Sequence, residues 1–271
     1  MSAPTVAVVG GGLAGITAAL DAADGGARVV LFERRRHLGG ATWSFRRNGA
    51  WFDNGQHVFL RCCTEYRALL SRLGVDDQVQ LQPRMDVPVL SPDGTTSRLR
   101  RDPLPTPLHL ARSLLAYRHL RLRERLRLAG PALALQRVDL DDPDLDRRAF
   151  GKWLAAHGQS PRSVTALWDL ICLPTVNLHA DDASLALAAK VFQTGLLTEP
   201  GGADIGWSRV PLGRLHGDAA AKALATRGVE VRTGARVSAV DRGGDGFVVR
   251  GESDVRADAV VLAVPHTDVA R

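Results

Sequence analysis

The chain has 271 residues, of which 45% are apolar and 24% are charged, and this composition is typical of a globular protein rather than a disordered one. The length allows one large domain or two of moderate size. The net charge is +6 and almost all the basic residues are Arg, but no basic stripe is interleaved with aromatic residues, so binding of nucleic acid is not expected.

The cysteines and the N-terminus indicate a cytoplasmic protein. Cys62, Cys63 and Cys172 form neither a CxxC pair nor a zinc-binding spacing, and we expect the adjacent pair to be reduced core residues. The N-terminal apolar run ends in glycines like a strand and does not resemble a signal peptide. No apolar stretch is long enough for a membrane-spanning helix, and no metal site is predicted.

A strand, a glycine-rich turn and a helix open the chain. Residues 6–9 are an uninterrupted apolar run, as a strand buried on both faces requires, and an Ala-rich helical pattern covers residues 13–23. Between them lie Gly10, Gly12 and Gly15 in a G-x-G-x-x-G spacing. The first allows the tight turn, the second lets the backbone approach a pyrophosphate, and the third lets the helix pack closely on the sheet.

This arrangement predicts a dinucleotide site. The free N–H groups of the helix start, at Gly12 and at Leu13, Ala14 and Gly15, would hold a diphosphate. Residues 28–32 read as a second strand, and Glu33 at its end could accept hydrogen bonds from ribose hydroxyls. A carboxylate there disfavours a 2′-phosphate, which leaves NAD or FAD as the ligand. The alternative is a glycine turn in an ordinary α/β protein.

The residues after Glu33 favour FAD. Arg35, Gly39 and Gly40 continue the segment as E-x-R-x-x-x-G-G, which resembles the second glycine motif of flavoproteins of the amine oxidase and phytoene desaturase superfamily. Members of that superfamily bind FAD and commonly have an Arg after the glycine pair, which helps to neutralise the diphosphate. This chain has Ala41 there, so the resemblance implies less charge at the phosphates unless Arg46 or Arg47 compensates.

The segment 53–57, DNGQH, has two interpretations. Taken alone, a D-N-G turn between apolar runs predicts a β-hairpin. Together with the glycine motifs, it resembles a segment of hydroxysqualene dehydroxylases, which are squalene-associated flavoproteins of hopanoid synthesis. The resemblance implies that Asn54, Gly55 and Gln56 lie near the flavin ring. It also makes His57 the candidate catalytic acid, which would protonate a leaving hydroxyl.

The middle of the chain reads as a separate substrate domain. We predict a helix over 62–73 that Gly74 ends, short strands forming a small antiparallel sheet over 79–104, and a largely helical region over 108–197. The predicted organisation is therefore a first part of the FAD domain (1–80), a substrate domain (81–206) and a returning part of the FAD domain (207–271).

The segment 109–127 combines leucines with an intense basic face. We interpret it first as the solvated face of a helix. The alternative is a peripheral membrane contact on the inner face of the membrane, in which Arg binds anionic headgroups and Leu enters the acyl boundary. A lipid-soluble substrate would make such a contact useful.

Two further features lie near the end of the substrate domain. Asn177 is interpreted as a turn residue, with a substrate-facing role as the alternative, and residues 182–184 start an Ala-rich helix.

Residues 207–271 are predicted to return to the FAD domain. A helix over 210–228 and strands at 229–231, 235–240, 247–250, 255–256 and 259–264 follow. The resemblance implies that Val237 contacts the adenosine half of FAD; otherwise it lies in a strand without ligand contact.

The predicted fold is α/β, with a Rossmann-like FAD-binding domain (a parallel sheet with a β-hairpin or meander) and a largely helical substrate domain with a small antiparallel sheet. The resemblance implies an FAD-dependent oxidoreductase that converts hydroxysqualene, a lipid-soluble isoprenoid, to squalene. A carotenoid or phytoene desaturase and an amine oxidase-like enzyme are alternatives. Family members continue beyond the point where this sequence stops, so we expect a C-terminally truncated chain, and a non-catalytic remnant is the alternative of another class.

Overall fold

The computed structural model describes residues 3–55 and 57–269. The strands are β1 Thr5–Val9, β2 Arg28–Glu33, β3 Ser44–Arg47, β4 Ala50–Asp53, β5 Val58–Leu60, β6 Val79–Leu81, β7 Asp86–Leu90, β8 Thr96–Arg100, β9 Ile205–Ser208, β10 Glu230–Thr233, β11 Ala239–Gly243, β12 Gly246–Arg250, β13 Val255–Ala257 and β14 Ala259–Leu262.

The α-helices are α1 Leu13–Asp24, α2 Thr64–Leu73, α3 Ala111–Leu115, α4 Leu122–Leu126, α5 Ala129–Gln136, α6 Phe150–Ala156, α7 Pro161–Ser163, α8 Asp169–Val176, α9 Leu185–Phe192, α10 Ala219–Thr226 and α11 His266–Val269. Short 3-10 helices cover Asp76–Gln78, Leu108–Leu110 and Leu145–Arg147. π-Helical turns cover Val164–Trp168, Gln193–Leu197 and Gly213–Asp218.

The chain forms two compact units. Unit 1 comprises the described parts of 1–58, 64–80 and 207–271, and unit 2 comprises 59–63 and 81–206. Residues 59–63, which the sequence analysis assigns to the first part of the FAD domain, belong to unit 2. The strands β5, β6 and β9 lie where the chain passes from one unit to the other.

Unit 1 is built on a four-stranded parallel sheet in the order β10-β2-β1-β14. Val8 of β1 is opposite Leu31 of β2 and Val261 of β14. Ala7 and Val8 are completely buried, as the uninterrupted apolar run predicts. Parallel neighbours need crossover connections, and α1 supplies the one between β1 and β2.

Two smaller antiparallel elements complete unit 1, and both correct a sequence-based expectation. The hairpin β3–β4 turns at Asn48 and Gly49, whose φ angles are +50° and +79°. Because β4 pairs with β3 and not with β5, the hairpin that the D-N-G turn over 53–55 predicts is not formed. The sheet β11-β12-β13 begins at Ala239, and the predicted strand over 235–240 is therefore wrong for residues 235–238. There the backbone bonds to β2 instead, because Ala235 N–H donates to the Glu33 carbonyl.

Unit 2 is largely helical and carries the antiparallel pair β7–β8. Its core is one cluster of buried side chains, in which Phe150 contacts the rings of Trp153, Trp168 and Phe192. The predicted small antiparallel sheet and the helical region after it are thus both present. None of the helices in the described part of the chain has the length and apolarity needed to cross a bilayer.

The basic segment 109–127 is not a single helix. It forms α3 and α4 with a connection between them, because that connection contributes to the core. Tyr117 and Leu120 are buried, and the Tyr117 hydroxyl donates to the Ala166 carbonyl at 2.7 Å. His119 is also buried, with Nδ1 2.9 Å from Ser91 Oγ. These buried residues interrupt the helical face that the sequence predicts.

Three local predictions have clear outcomes. Asn177 ends α8 in the left-handed conformation, with φ +58°, which confirms its interpretation as a turn residue. Ser184 caps α9, because its hydroxyl accepts the Leu187 N–H at 3.3 Å. Of the adjacent cysteines, Cys62 is only half-buried and Cys63 is exposed, so the expectation that both are core residues is wrong. Cys172 is buried, and burial raises the pKa of its thiol to about 12.

Candidate functional site

The start of α1 offers free backbone donors at the end of β1. Gly12 is the N-cap residue, no side chain caps the helix, and no acidic residue lies in its first turn. Ala14 is exposed and Leu13 is half-buried. The first N–H groups of a helix have no partner within it, and the helix dipole makes this end positive. An anion would therefore be bound here.

The three motif glycines differ in what a side chain would meet. At Gly10, with φ +109°, a Cβ would lie 2.3 Å from the Ala263 carbonyl oxygen, and at Gly15 it would lie 1.8 Å from the Gly10 oxygen. Packing within the protein thus explains both. At Gly12 the nearest atom would be Gly40 Cα, at 3.9 Å. Packing does not explain Gly12, but close approach of a ligand would.

Glu33 lies beside this turn and is buried. One carboxylate oxygen accepts the Gly11 N–H at 2.8 Å, and the other accepts the Arg35 N–H at 2.7 Å. Each oxygen keeps a lone pair for a further donor, such as a ribose hydroxyl. The two backbone donors also fix the orientation of the carboxylate relative to the glycine turn.

The second glycine motif lies directly against the first. Gly39 N–H donates to the Gly11 carbonyl at 2.8 Å, and a Cβ on Gly40 would lie 2.9 Å from Gly12 Cα. Both Gly39 and Gly40 have positive φ, at +101° and +58°. Arg35 closes this loop, because its Nη1 donates to the Gly40 carbonyl at 3.0 Å. The structure thus brings the two motifs together.

The residue after Gly40 carries no positive charge. Ala41 is exposed and brings none, as the sequence indicates. Arg46 lies on the β3–β4 hairpin, where its guanidinium carbon is 5.8 Å from the Trp51 ring centroid and its Nε donates to the Gly49 carbonyl at 3.4 Å. A bound diphosphate would therefore depend mainly on backbone N–H groups and on the helix dipole.

The segment 53–57 joins the site through Asn54. The Asn54 side chain donates to the Ala41 carbonyl at 3.1 Å. Gly55 is exposed, with φ +93°, and Gln56 lies outside the described residues. His57 is exposed, and its Nε2 lies 3.0 Å from the Asn54 carbonyl oxygen. The catalytic role of His57 therefore stays a prediction.

Val237 packs beside β2, and its contact with the adenosine half of FAD stays a prediction. It is half-buried and packs against a cluster that includes Phe32 and Val249. The segment leading to it is fixed by Gly234 N–H, which donates to the Arg35 carbonyl, and by the bond from Ala235 to Glu33. Val237 thus follows a segment that is bonded to the residue predicted to bind ribose.

Sequence analysis missed a group of polar residues under the segment 53–57. Asp53 Oδ1 accepts the Leu212 N–H at 3.0 Å, and Ser44 Oγ accepts the Gly213 N–H at 2.8 Å, so both cap the π-helical turn. In that turn His216 is buried, with Nε2 2.8 Å from the Tyr66 hydroxyl. Burial lowers the pKa of His216 to about 4. No spacing in the sequence links these distant positions.

These residues fit the ADP part of FAD. The site has an open position above Gly12, uncapped helix N–H groups and a buried carboxylate with free lone pairs. Among the described residues, no side-chain atom lies within 4 Å of the position that a Cβ on Gly12 would take. FAD would lie with its diphosphate at Gly12, Leu13 and Ala14 and its ribose at Glu33.

Comparison with known proteins agrees with this site. Residues 13–271 match the family described as flavin containing amine oxidoreductase. The zeta-carotene desaturase of Zea mays is 31% identical over 199 residues, which are 69% of this chain and 35% of that protein. The zeta-carotene desaturase of Synechocystis is 26% identical over 69% of this chain and 40% of its own length. The chain therefore spans little more than a third of these relatives.

Solved structures share the fold. Putrescine oxidase bound to putrescine superimposes with a TM-score of 0.68 at 23% identity, covering 98% of this chain and 60% of that one. An oxidoreductase from Methanosarcina mazei gives a TM-score of 0.70 at 18% identity, with 98% and 60% covered. The α/β fold with its parallel and small antiparallel sheets is thus confirmed. Because the family match covers nearly the whole chain and the site fits its cofactor, this protein belongs to the flavin-containing amine oxidoreductase family, in the superfamily of phytoene and zeta-carotene desaturases, and its cofactor is FAD.

Proposed function

We propose that this chain is part of an FAD-dependent oxidoreductase that acts on a long polyisoprenoid. The observation that carries the proposal is the similarity to zeta-carotene desaturases, which extends over 199 residues. The chain spans only about a third of those relatives, so the activity that we assign to the whole enzyme is itself a proposal. Desaturation of a carotenoid is the first candidate reaction.

The residues of unit 1 would hold and orient the cofactor. The N–H groups at Gly12 and Leu13 would bind the diphosphate and Glu33 would bind the ribose, while the loop of Gly39 and Gly40 packs closely against Gly12. Bound FAD supplies hydride acceptance or, when reduced, hydride donation.

A second candidate reaction is the conversion of hydroxysqualene to squalene. It is supported by the segment 53–57 and, within it, by His57, which is exposed and therefore free to meet a substrate. This reaction needs an acid that protonates the leaving hydroxyl, whereas desaturation releases no hydroxyl and needs no such acid. His57 therefore matters for one candidate reaction and not for the other.

In the experiment, purified protein supplied with FAD is incubated with each of the two substrates. Desaturation of zeta-carotene would appear as a red shift in absorbance, and hydroxysqualene with chemically reduced flavin would give squalene by mass spectrometry. A His57→Gln variant should lower dehydroxylation about 100-fold or more and leave desaturation unchanged. His179→Gln, which changes another exposed histidine, is the matched control.

The outcomes separate the alternatives. Protein that binds FAD but converts neither polyisoprenoid, and instead produces hydrogen peroxide from an amine, would contradict the proposal in favour of an amine oxidase. Colourless protein that does not take up FAD would support the non-catalytic remnant.

A further inference from the structure

We propose that the segment 108–127 of unit 2, here called the Arg-Leu segment, is a docking surface for a membrane leaflet that contains anionic lipids. The proposal is independent of the reaction that the protein catalyses. It depends on the leucines that the segment exposes and on its exposed arginines, which form no salt bridge in the described part of the chain.

The Arg-Leu segment exposes leucines although it also contributes to the core. Leu120 is buried, and Leu110 and Leu114 pack against the core cluster. By contrast, Leu122 and Leu126 are 64% and 62% exposed on successive turns of α4, so they form one apolar stripe. Leu108, which precedes α3, and Leu115, the last residue of α3, are also more than half exposed. A face that only contacts water has no need for these side chains.

The exposed arginines of the segment form no salt bridge with an acidic residue in the described part of the chain. Five of them are exposed and form no salt bridge within residues 3–55 and 57–269: Arg112, Arg118, Arg121, Arg123 and Arg127. Elsewhere in unit 2, arginines such as Arg98 and Arg101 are paired with aspartates.

The acidic residue of the segment is already engaged. Glu124 accepts the Arg121 N–H at 2.8 Å and the Ser160 hydroxyl at 2.6 Å. Arg125 has a structural role, because it donates to the carbonyls of Leu120 and Leu115 and holds the connection between α3 and α4. The remaining positive charge is therefore available to a partner.

The arrangement on α4 matches the chemistry of a lipid surface. Arg123 and Arg127 follow Leu122 and Leu126 by one residue each, so a stripe of guanidinium groups runs beside the stripe of leucines. Guanidinium groups bind phosphate headgroups while the leucines enter the acyl boundary. Binding of a single-stranded nucleic acid commonly uses exposed aromatic residues for stacking, but the aromatic residue of the segment, Tyr117, is buried.

The test is co-sedimentation with vesicles of phosphatidylcholine alone and of phosphatidylcholine with about 30 mol% phosphatidylglycerol. We expect pelleting with the anionic vesicles only, and less pelleting at high salt because the Debye length shortens. The variant R123Q/R127Q should lower the partition coefficient about tenfold or more, and L122S/L126S should also lower it clearly. The control R137Q/R147Q removes the same charge from another exposed part of unit 2 and should bind as the unchanged protein does.

Three results would overturn the proposal. They are absence of pelleting with anionic vesicles, equal pelleting with neutral vesicles, and an equal loss in the control R137Q/R147Q. Unchanged binding by L122S/L126S would overturn the insertion of leucines and indicate a purely electrostatic partner. Circular dichroism checks that each variant is folded, and L108S and L115S, which change single exposed leucines, give the same test if the double variant unfolds.

Discussion

Gly12 and Gly15 should respond in opposite ways to substitution by alanine. Gly12 has φ −76° and ψ −178°, an extended conformation that alanine adopts without strain, and its Cβ would be 3.9 Å from the nearest atom. Gly12→Ala should therefore leave the free energy of unfolding of the apoprotein unchanged or raise it by about 0.4–1 kcal/mol. In Gly15→Ala the Cβ would lie 1.8 Å from the Gly10 oxygen, so this variant should lose about 1–3 kcal/mol or more.

Gly12→Ala should weaken the binding of FAD although it does not destabilise the apoprotein. The Cβ of Gly12→Ala occupies the space that the diphosphate must approach. Loss of one hydrogen bond to a charged group costs about 1.5–3 kcal/mol, which corresponds to a dissociation constant about 10- to 150-fold weaker. Urea denaturation of the apoprotein and titration of flavin fluorescence measure the two quantities separately. A Gly12→Ala protein that binds FAD normally, or that is destabilised as much as Gly15→Ala, would refute the reasoning.

Three further predictions concern stability. Asp204 is buried and bridges two arginines, so Asp204→Asn should lower the free energy of unfolding by about 3–5 kcal/mol in urea denaturation. Asp86→Asn, which breaks ion pairs with exposed arginines, should lower it by about 0–1 kcal/mol, and equal losses in the two variants would contradict this. Because the pKa of His216 falls from 6.5 to about 4 on folding, the unfolded chain binds its proton more strongly, and stability present above pH 6.5 should fall by up to about 3 kcal/mol as the pH drops towards 4. A His216→Gln variant should lose correspondingly less between pH 7 and pH 4.5, and an identical pH dependence would count against the assignment. Ser184→Ala should cost about 1 kcal/mol through loss of the cap of α9, while Ser184→Asp should retain most of it.

The nucleotide-binding end of unit 1 could be predicted from the sequence because its signals are local. Burial on both faces makes β1 an uninterrupted apolar run, and the turn that follows requires glycine at Gly10 and Gly15 for reasons of backbone space. Glu33 could be assigned from its distance along the chain alone. The resemblance of both glycine motifs to one family predicts a shared cofactor, whereas the close approach of Gly40 to Gly12 is seen only in the structure.

The remaining features depend on contacts between distant residues. The pairing of β14 with β1 and the hydrogen bond between Tyr66 and His216 have no local signal. The break between α3 and α4 arises because the core takes up Tyr117, which a helical pattern of leucines does not reveal. The β3–β4 hairpin, by contrast, has a strong local signal, because Asn48 is followed by glycine.

The central claim is that FAD lies with its diphosphate at the start of α1 and its ribose at Glu33. The most direct measurement is a crystal structure of the protein with FAD. We expect diphosphate oxygens about 3 Å from the N–H groups at Gly12 and Leu13, and a ribose hydroxyl at the same distance from the Glu33 carboxylate. A diphosphate bound elsewhere, or a Glu33 carboxylate that does not contact the ribose, would contradict it.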